Sequence, residues 1–211
     1  MTTPSAAQAY ALVRDPSHFA WYVIPLMLIV LYLYSEQVAE RRWNVVLGGL
    51  AFWLMDWVNE IWNGLLFHFN QVAPAWATPG GSAYVVLIGL NIEIIFMFAV
   101  TGLLAVRTLP ADRNLRIAGM NNRWFMAIVN SVLCVLTELF LNHIGVLTWD
   151  LPYWNASFPW LIFLIGYLPF FRVAYWVHDM VERRRQVQTV AALGGGVASA
   201  LLIFGGVLGW I

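Results

Sequence analysis

Apolar residues run along this chain in long blocks separated by short polar connections. The blocks lie at roughly Phe19 to Tyr34, Asn44 to Phe67, Tyr84 to Val106, Trp124 to Leu147, Pro159 to Val177 and Val190 to Ile211. About 20 residues of α-helix, at about 1.5 Å each, cross the hydrocarbon of a bilayer, so all but the first block have the length of a span. The first is shorter and contains Pro25, and reaches full length only by extending into Ala11 to His18 or by lying shallow. The pattern predicts an all-α, polytopic integral membrane protein: a compact bundle of about six transmembrane helices in a single domain over residues 1–211.

Composition sharpens this picture. The chain is 61% hydrophobic and 10% charged, whereas a soluble domain carries about 25% charge. Little mass is left for anything outside the membrane. The formal net charge of zero excludes a nucleic-acid partner, and the single cysteine, Cys134, excludes an internal disulfide or thiolate cluster. The opening MTTPSAAQAYALVRDPSH has no basic stretch followed by a small-residue cleavage site, so no cleaved signal peptide is expected. The expected location is a bacterial inner membrane, as a multi-pass protein.

Arginine sets the orientation. Arg41 and Arg42 lie in the first connection, Arg107, Arg113, Arg116 and Arg123 around the third, and Arg183 to Arg185 in the fifth. The second and fourth connections, HFNQVAPAWATPGGSAY and TWDLPYWNASF, contain none. Basic residues near helix ends are retained in the cytoplasm, so both termini are predicted outside. Trp76, Trp149 and Trp154 then read as an outer interfacial belt, and the Pro- and Gly-rich outer connections as compact caps.

The informative polar residues lie inside the apolar blocks. On a helix of 3.6 residues per turn, Asp56, Glu60 and Asn63 share one stripe. A carboxylate in mid-membrane costs at least ~2.5 kcal/mol on insertion scales, so this stripe faces protein, water or a cation. Glu60 lies about eight residues below the outer end of its block, and Glu93 and Glu138 each about nine, a common depth of roughly 12 to 14 Å. Asn142 stands about one turn above Glu138 on the same face. Two arrangements fit: one cluster of Asp56, Glu60, Glu93 and Glu138 with Asn63 and Asn142, or separate hydrogen-bonded pairs that fix helix register. In the cluster, a proton or a cation must offset the charge. Arg172 is the candidate counter-ion, reaching either Asp56 or, by snorkelling, Asp179.

The histidines lie on other faces from the acids, and acid-only sites favour hard ions, so no metal and no cofactor are expected. Trp53 and Trp57 stand in the acid-bearing block, where aromatic faces either pack or shelter a carbocation by cation–π attraction. In plan, the chain resembles small membrane-integral terpenoid cyclases and carotenoid-modifying proteins, compact bundles with isolated intramembrane acids. Those cyclases carry an acid in a seventh helix, which is missing here, so the resemblance transfers no residue role.

The first functional reading is a membrane-embedded enzyme performing proton-transfer chemistry, such as isomerisation, cyclisation or hydration, on a lipophilic isoprenoid- or sterol-like molecule. Glu60 and Glu138 are the acid and base, Asp56 and Glu93 complete the set, and Asn63, Asn142, Trp53, Trp57 and Arg172 contact the substrate. The competing readings are a proton- or cation-coupled transporter or channel, and a non-catalytic subunit of a membrane complex. The last block, with Gly194 and Ala198, Gly195 and Ser199, and Gly205 and Gly209 four apart, is the expected packing surface, within the bundle or between two copies. The orientation is testable directly. Cysteine at Ala77 or Ser157, in a Cys134→Ala background, should react with an impermeant thiol reagent added outside, and cysteine at Ala111 should not; the reverse pattern inverts the topology.

Overall fold

A computed structural model describes residues 1–211, and its organising element is α3, Trp43–Asn70. The other helices are α1, Pro4–Leu12; α2, Val23–Ala39; α4, Ile92–Arg107; α5, Asn122–His143; α6, Leu168–Asp179; and α7, Arg183–Ala200. A π-helical stretch, Ile162–Tyr167, leads into α6, and a second, Leu201–Val207, prolongs α7. Two small antiparallel hairpins complete the chain: β1, Val85–Leu87, with β2, Leu90–Asn91, and β3, Arg116–Ile117, with β4, Met120–Asn121.

α3 packs on α6, α4 and α7 and, over a smaller area, on α2, whereas α5 joins the bundle through α6 and the π stretch before it. Close approach at the centre depends on glycine. A Cβ on Gly102 would lie 2.8 Å from the Gly49 carbonyl oxygen and 2.7 Å from the Phe52 Cβ, so α3 and α4 sit together only because the side chain is missing. Phe52, fully buried, then stacks among Phe98, Phe170 and Phe171, with ring centroids 4.8 to 5.8 Å apart.

The fold is mainly helical, and Asn122–His143 and Arg183–Val207 are long and apolar enough to cross a membrane; Val23–Ala39 is apolar but shorter. Asn44 to Phe67 forms one continuous helix, α3, but Asp56, Asn59, Glu60 and Asn63 leave it outside the helices apolar enough to cross, and the other blocks depart from the expected spans for identifiable reasons. Tyr84 to Val106 is not one helix, because its first part folds back as the β1–β2 hairpin and α4 begins only at Ile92. Pro159 to Val177 is divided between the π stretch and α6 at Pro169. The first block extends at its C-terminal end to Ala39 rather than back towards Ala11, which lies in the separate α1. Pro25 falls in the first turn of α2, where an amide hydrogen has no partner to lose. Large apolar side chains face outward, as on α5 with Leu133, Leu136 and Phe140 at 55%, 54% and 60% exposure.

The two ends of the bundle differ. At one, α1 and the connections after α3 and α5 form a cap: Ala77 and Thr148 exchange backbone hydrogen bonds of 3.1 and 2.9 Å, the Thr3 amide donates to Val72, and Arg14 to Val85. Both termini belong to this end, since Arg14 Nη2 donates to the Ile211 carbonyl at 3.1 Å. Within the cap Ala77 is buried at 1% exposure, leaving Ser157 as the accessible position there. The expected belt is altered as well, because Trp76 and Trp154 are buried inside the cap at 9% and 2% exposure. The small-residue edge of α7 is only partly used within one chain: Gly194 faces Leu54, while Gly195 and Gly196 face open space.

The opposite end gathers the charges. Arg107 pairs with Glu36 at 3.1 Å, Arg183 lies over the Trp43 ring, and Arg123 donates to both Asp179 oxygens at 2.8 and 3.0 Å. Asp179 lies just past the apolar block that ends at Val177. Burial would raise its carboxyl, but hydrogen bonds from Arg123 and His178 outweigh burial and hold it below the usual carboxylate range. A depressed carboxyl stabilises the fold above its unfolded value, about 3.9, and that contribution disappears as pH falls through the folded value. Arg123→Met should therefore destabilise the protein at neutral pH by about 1–3 kcal/mol, since the pair is part-buried and His178 and Arg113 still contact Asp179. In thermal unfolding across pH, the gap between wild type and variant should close below about pH 4; a gap constant with pH would mean that Arg123 acts by packing alone.

Candidate functional site

Where α3, α4, α5 and the π–α6 segment surround one space beneath the cap, they leave a cavity of about 140 Å³ lined by 20 residues, 12 of them hydrophobic. Asp56 and Glu60 enter it from α3, one turn apart, and Glu138 from α5. Thus three of the four candidate acids line a single cavity. Asp56 and Glu60 are 3% and 2% exposed.

Each acid has an oxygen without a partner, and two are held by neighbouring donors. The Trp76 indole Nε1 donates to Glu60 Oε1 at 2.8 Å, and the Tyr167 hydroxyl to Glu138 Oε1 at 2.6 Å. Asp56 Oδ2, Glu60 Oε2, Glu138 Oε2 and the Trp154 Nε1 remain buried and unpaired. Buried polar atoms are usually satisfied, and the gathering of these four at one cavity makes it the candidate site. Trp76, Trp154 and Trp62 meet through ring contacts of 5.4 to 6.0 Å, and the first two roof the cavity.

Local sequence explains how the donors arrive. Pro169 has no amide hydrogen for the Ile165 carbonyl four residues earlier, and the preceding turn widens to π geometry. Asn59 Nδ2 of α3 donates to the released Ile165 carbonyl at 3.3 Å. The same widened turn brings Tyr167 to Glu138. Trp76 is placed by Asn63, whose Oδ1 accepts from the Ala75 amide at 2.7 Å and whose Nδ2 donates to the Trp76 carbonyl at 2.8 Å. Gly89 is required beneath the cap, since a Cβ there would meet the Trp76 Nε1 at 2.4 Å.

Other residues singled out from the sequence lie elsewhere. Glu93 does not join the acids: it accepts from Ser82 Oγ at 2.7 Å, the Ala83 amide at 2.8 Å and the Tyr22 hydroxyl. The depth count placed it mid-helix, but α4 starts at Ile92, so Glu93 occupies the first turn, where a carboxylate suits the helix dipole. Arg172 reaches neither Asp56 nor Asp179; its guanidinium lies 3.9 Å from the Trp124 ring centroid, and Asp179 is held by Arg123. Asn142 closes the turn after α5 by donating to the Leu147 carbonyl at 3.0 Å. Trp53 and Trp57 pack beside the cluster of Leu54, Ile61 and Val197, Trp53 also donating to the Ile95 carbonyl of α4, and neither lines the cavity. Asn63 acts through the cap. No three His, Cys, Asp or Glu side chains meet as a metal-holding set.

Tyr167, Trp76, Trp154 and Asn59 were not among the residues expected at the site. The Leu-Pro pair after Tyr167 is the only local sign that its turn is irregular. Trp76 and Trp154 lie in connections, where the interfacial preference of tryptophan conceals a buried role.

A mainly helical chain with apolar outward faces and buried acids around a cavity is a helical membrane protein in class. Residues 3–206 match the family described as "Uncharacterized membrane protein family", and the chain belongs to that family. A protein of Archaeoglobus fulgidus, described as uncharacterized, is 51% identical over 211 residues, covering all of both chains. A second from the same organism is 58% identical over 53 residues, 25% of this chain and 95% of that one. Both relatives are archaeal, and they add nothing for a bacterial inner membrane. No solved structure matches.

Removing a donor tests the site without requiring a substrate. Tyr167→Phe leaves both Glu138 oxygens unpaired and should lower stability by about 1–3 kcal/mol, as should Trp76→Phe at Glu60. Trp160→Phe, at a side chain 65% exposed, serves as the control in thermal unfolding in detergent. Equal behaviour of all three would mean that the donors do not hold the acids.

Proposed function

We propose that this protein is a membrane-embedded enzyme performing acid–base chemistry, such as isomerisation, cyclisation or hydration, on a lipophilic substrate of isoprenoid- or sterol-like character. One observation carries the reading: three buried carboxyl groups, each with an unpaired oxygen, beside a largely apolar cavity. Leaving a buried polar atom unsatisfied costs about 1–3 kcal/mol, and such a cost is retained where the atom has work to perform.

In this reading Tyr167 and Trp76 each occupy one carboxyl oxygen as donors, so the proton that Glu138 or Glu60 gives or takes belongs on Oε2, towards the substrate. One carboxyl protonates a double bond or an oxygen of the substrate, and the other, as carboxylate, removes a proton from carbon. Asp56, one turn deeper, shares the charge of the pair. A developing carbocation would lie near the Trp76 and Trp154 rings, an attraction of about 0.5–2 kcal/mol. These two tryptophans take the part first expected of Trp53 and Trp57.

The proposal includes the topology. α2, α3, α4, α5, the π–α6 segment and α7 serve as six spans with the termini and the arginine-free cap outside. The alternation of arginine-bearing and arginine-free connections supports this arrangement, as do the two termini at one end of the bundle. α4 and α6 are short for spans, in keeping with a bundle in which the cap shields the outer part.

Glu60→Gln and Glu138→Gln keep volume and remove proton exchange. Each should reduce turnover of an isoprenoid substrate in nanodiscs by about 10²- to 10⁴-fold while the protein stays folded. Full turnover by both variants would reject the acid–base reading. Retained folding with loss of ion uptake, measured in proteoliposomes, would assign the acids to cation-coupled transport instead.

A further inference from the structure

The cavity is closed above and open at its side. Trp154 and Trp76 seal it beneath the cap. The polar cleft on the cap, lined by Gln8, Asp15, His18 and the loop from Pro79 to Ser82, shares no residue with it. α4 and α5, although consecutive, have at most a slight contact: α4 lies on α3, α2 and α6, and α5 on α6 and the π stretch. Met97 of α4 is 43% exposed and Thr137 of α5 is exposed, and both also line the cavity. The surface beside this seam is apolar, with Leu133, Leu136 and Phe140 facing outward.

Volume and charge limit what passes. A cavity of about 150 Å³ holds a benzene molecule, so about 140 Å³ accepts one isoprene-sized or ring-sized unit and not a whole sterol or a long chain. The lining contains three acids and no arginine, lysine or histidine, which excludes phosphate or carboxylate headgroups. We propose that the α4–α5 seam is a lateral port through which the uncharged apolar end of a membrane lipid enters from the bilayer. The rest of the lipid lies along the outer faces of α4 and α5. The unpaired oxygens of Asp56 and Glu60, on side chains buried by more than nine-tenths, await that end. This rests on the cavity being a substrate site and narrows the substrate class to lipids attacked at an apolar terminus.

Apolar diisopropylcarbodiimide, whose arms are each smaller than the ring-sized unit the cavity accepts, tests the port. It takes the carboxyl proton on nitrogen while a carboxyl oxygen bonds its central carbon, and the adduct rearranges to a stable N-acylurea that mass spectrometry locates. In nanodiscs the reagent should modify Asp56, Glu60 or Glu138, and a water-soluble cationic carbodiimide should react at least about tenfold more slowly, about 1.4 kcal/mol in barrier. Thr137→Trp should slow the apolar reagent by a similar factor, with Met97→Trp as the second variant should the first not fold. Leu202→Trp, exposed on the π-helical stretch that prolongs α7, should change nothing. A neutral isoprenoid hydrocarbon dissolved in the bilayer should protect the acids. Equal reaction with both reagents, no modification of the three acids, indifference to both seam variants, or no protection by the hydrocarbon would overturn the port. Modification is read without turnover, so an inactive but laterally labelled protein rejects the enzyme reading alone, and a water-open cavity rejects the port alone.

Discussion

Asp56 and Glu60 sit one turn apart in an otherwise apolar helix, and lipid is a poor solvent for either. The rest of the structure can be understood as the solution to that problem. α3 is placed at the centre, with α4, α6 and α7 packed around it, so that the acid-bearing stripe meets protein on every side except the cavity. The glycines at the α3–α4 contact make this enclosure tight, and the phenylalanines around Phe52 fill the layer below the acids. The acids are therefore sheltered without being neutralised by an arginine, since Arg172 rests on Trp124.

The irregular turn before α6 connects covalent structure to site chemistry. Pro169 frees a carbonyl, Asn59 binds it, and the widened backbone carries Tyr167 to Glu138. Helical geometry alone offers only the i and i+4 positions on a face, and the π turn supplies an additional placement. The cap performs the same office for Glu60: Asn63, three residues further along α3, holds the Trp76 backbone, and Trp76 returns its indole to Glu60. Acid, positioning amide and donor thus form a closed circuit between one helix and one connection.

Charge and hydrogen bonding are divided between the two ends for a physical reason. Ion pairs such as Arg107 with Glu36 and Arg123 with Asp179 keep charged groups at one end of the bundle, clear of the cavity. The other end is tied by backbone bonds and buried tryptophans, and its carboxylates Glu93 and Asp150 are held by hydroxyl and amide donors instead of arginine. The site lies beneath this second end, with the buried Trp76 and Trp154 between it and the cap.

The apolar periodicity determined most of the helices, and the spacing of Asp56, Glu60 and Asn63 determined that they share one face, because both depend on residues close in the chain. The convergence of Glu60 with Glu138 followed from counting depth, which holds while a helix is continuous. For Glu93 the count failed, since whether Tyr84 to Asn91 is helix or hairpin depends on what the cap packs against. Tertiary structure alone decided that Trp76, Trp154 and Tyr167 face the acids, that Trp53 and Trp57 do not, and that Arg172 stays away. Those outcomes depend on which surfaces meet across the bundle, and residues distant in the chain carry no local mark of their neighbours.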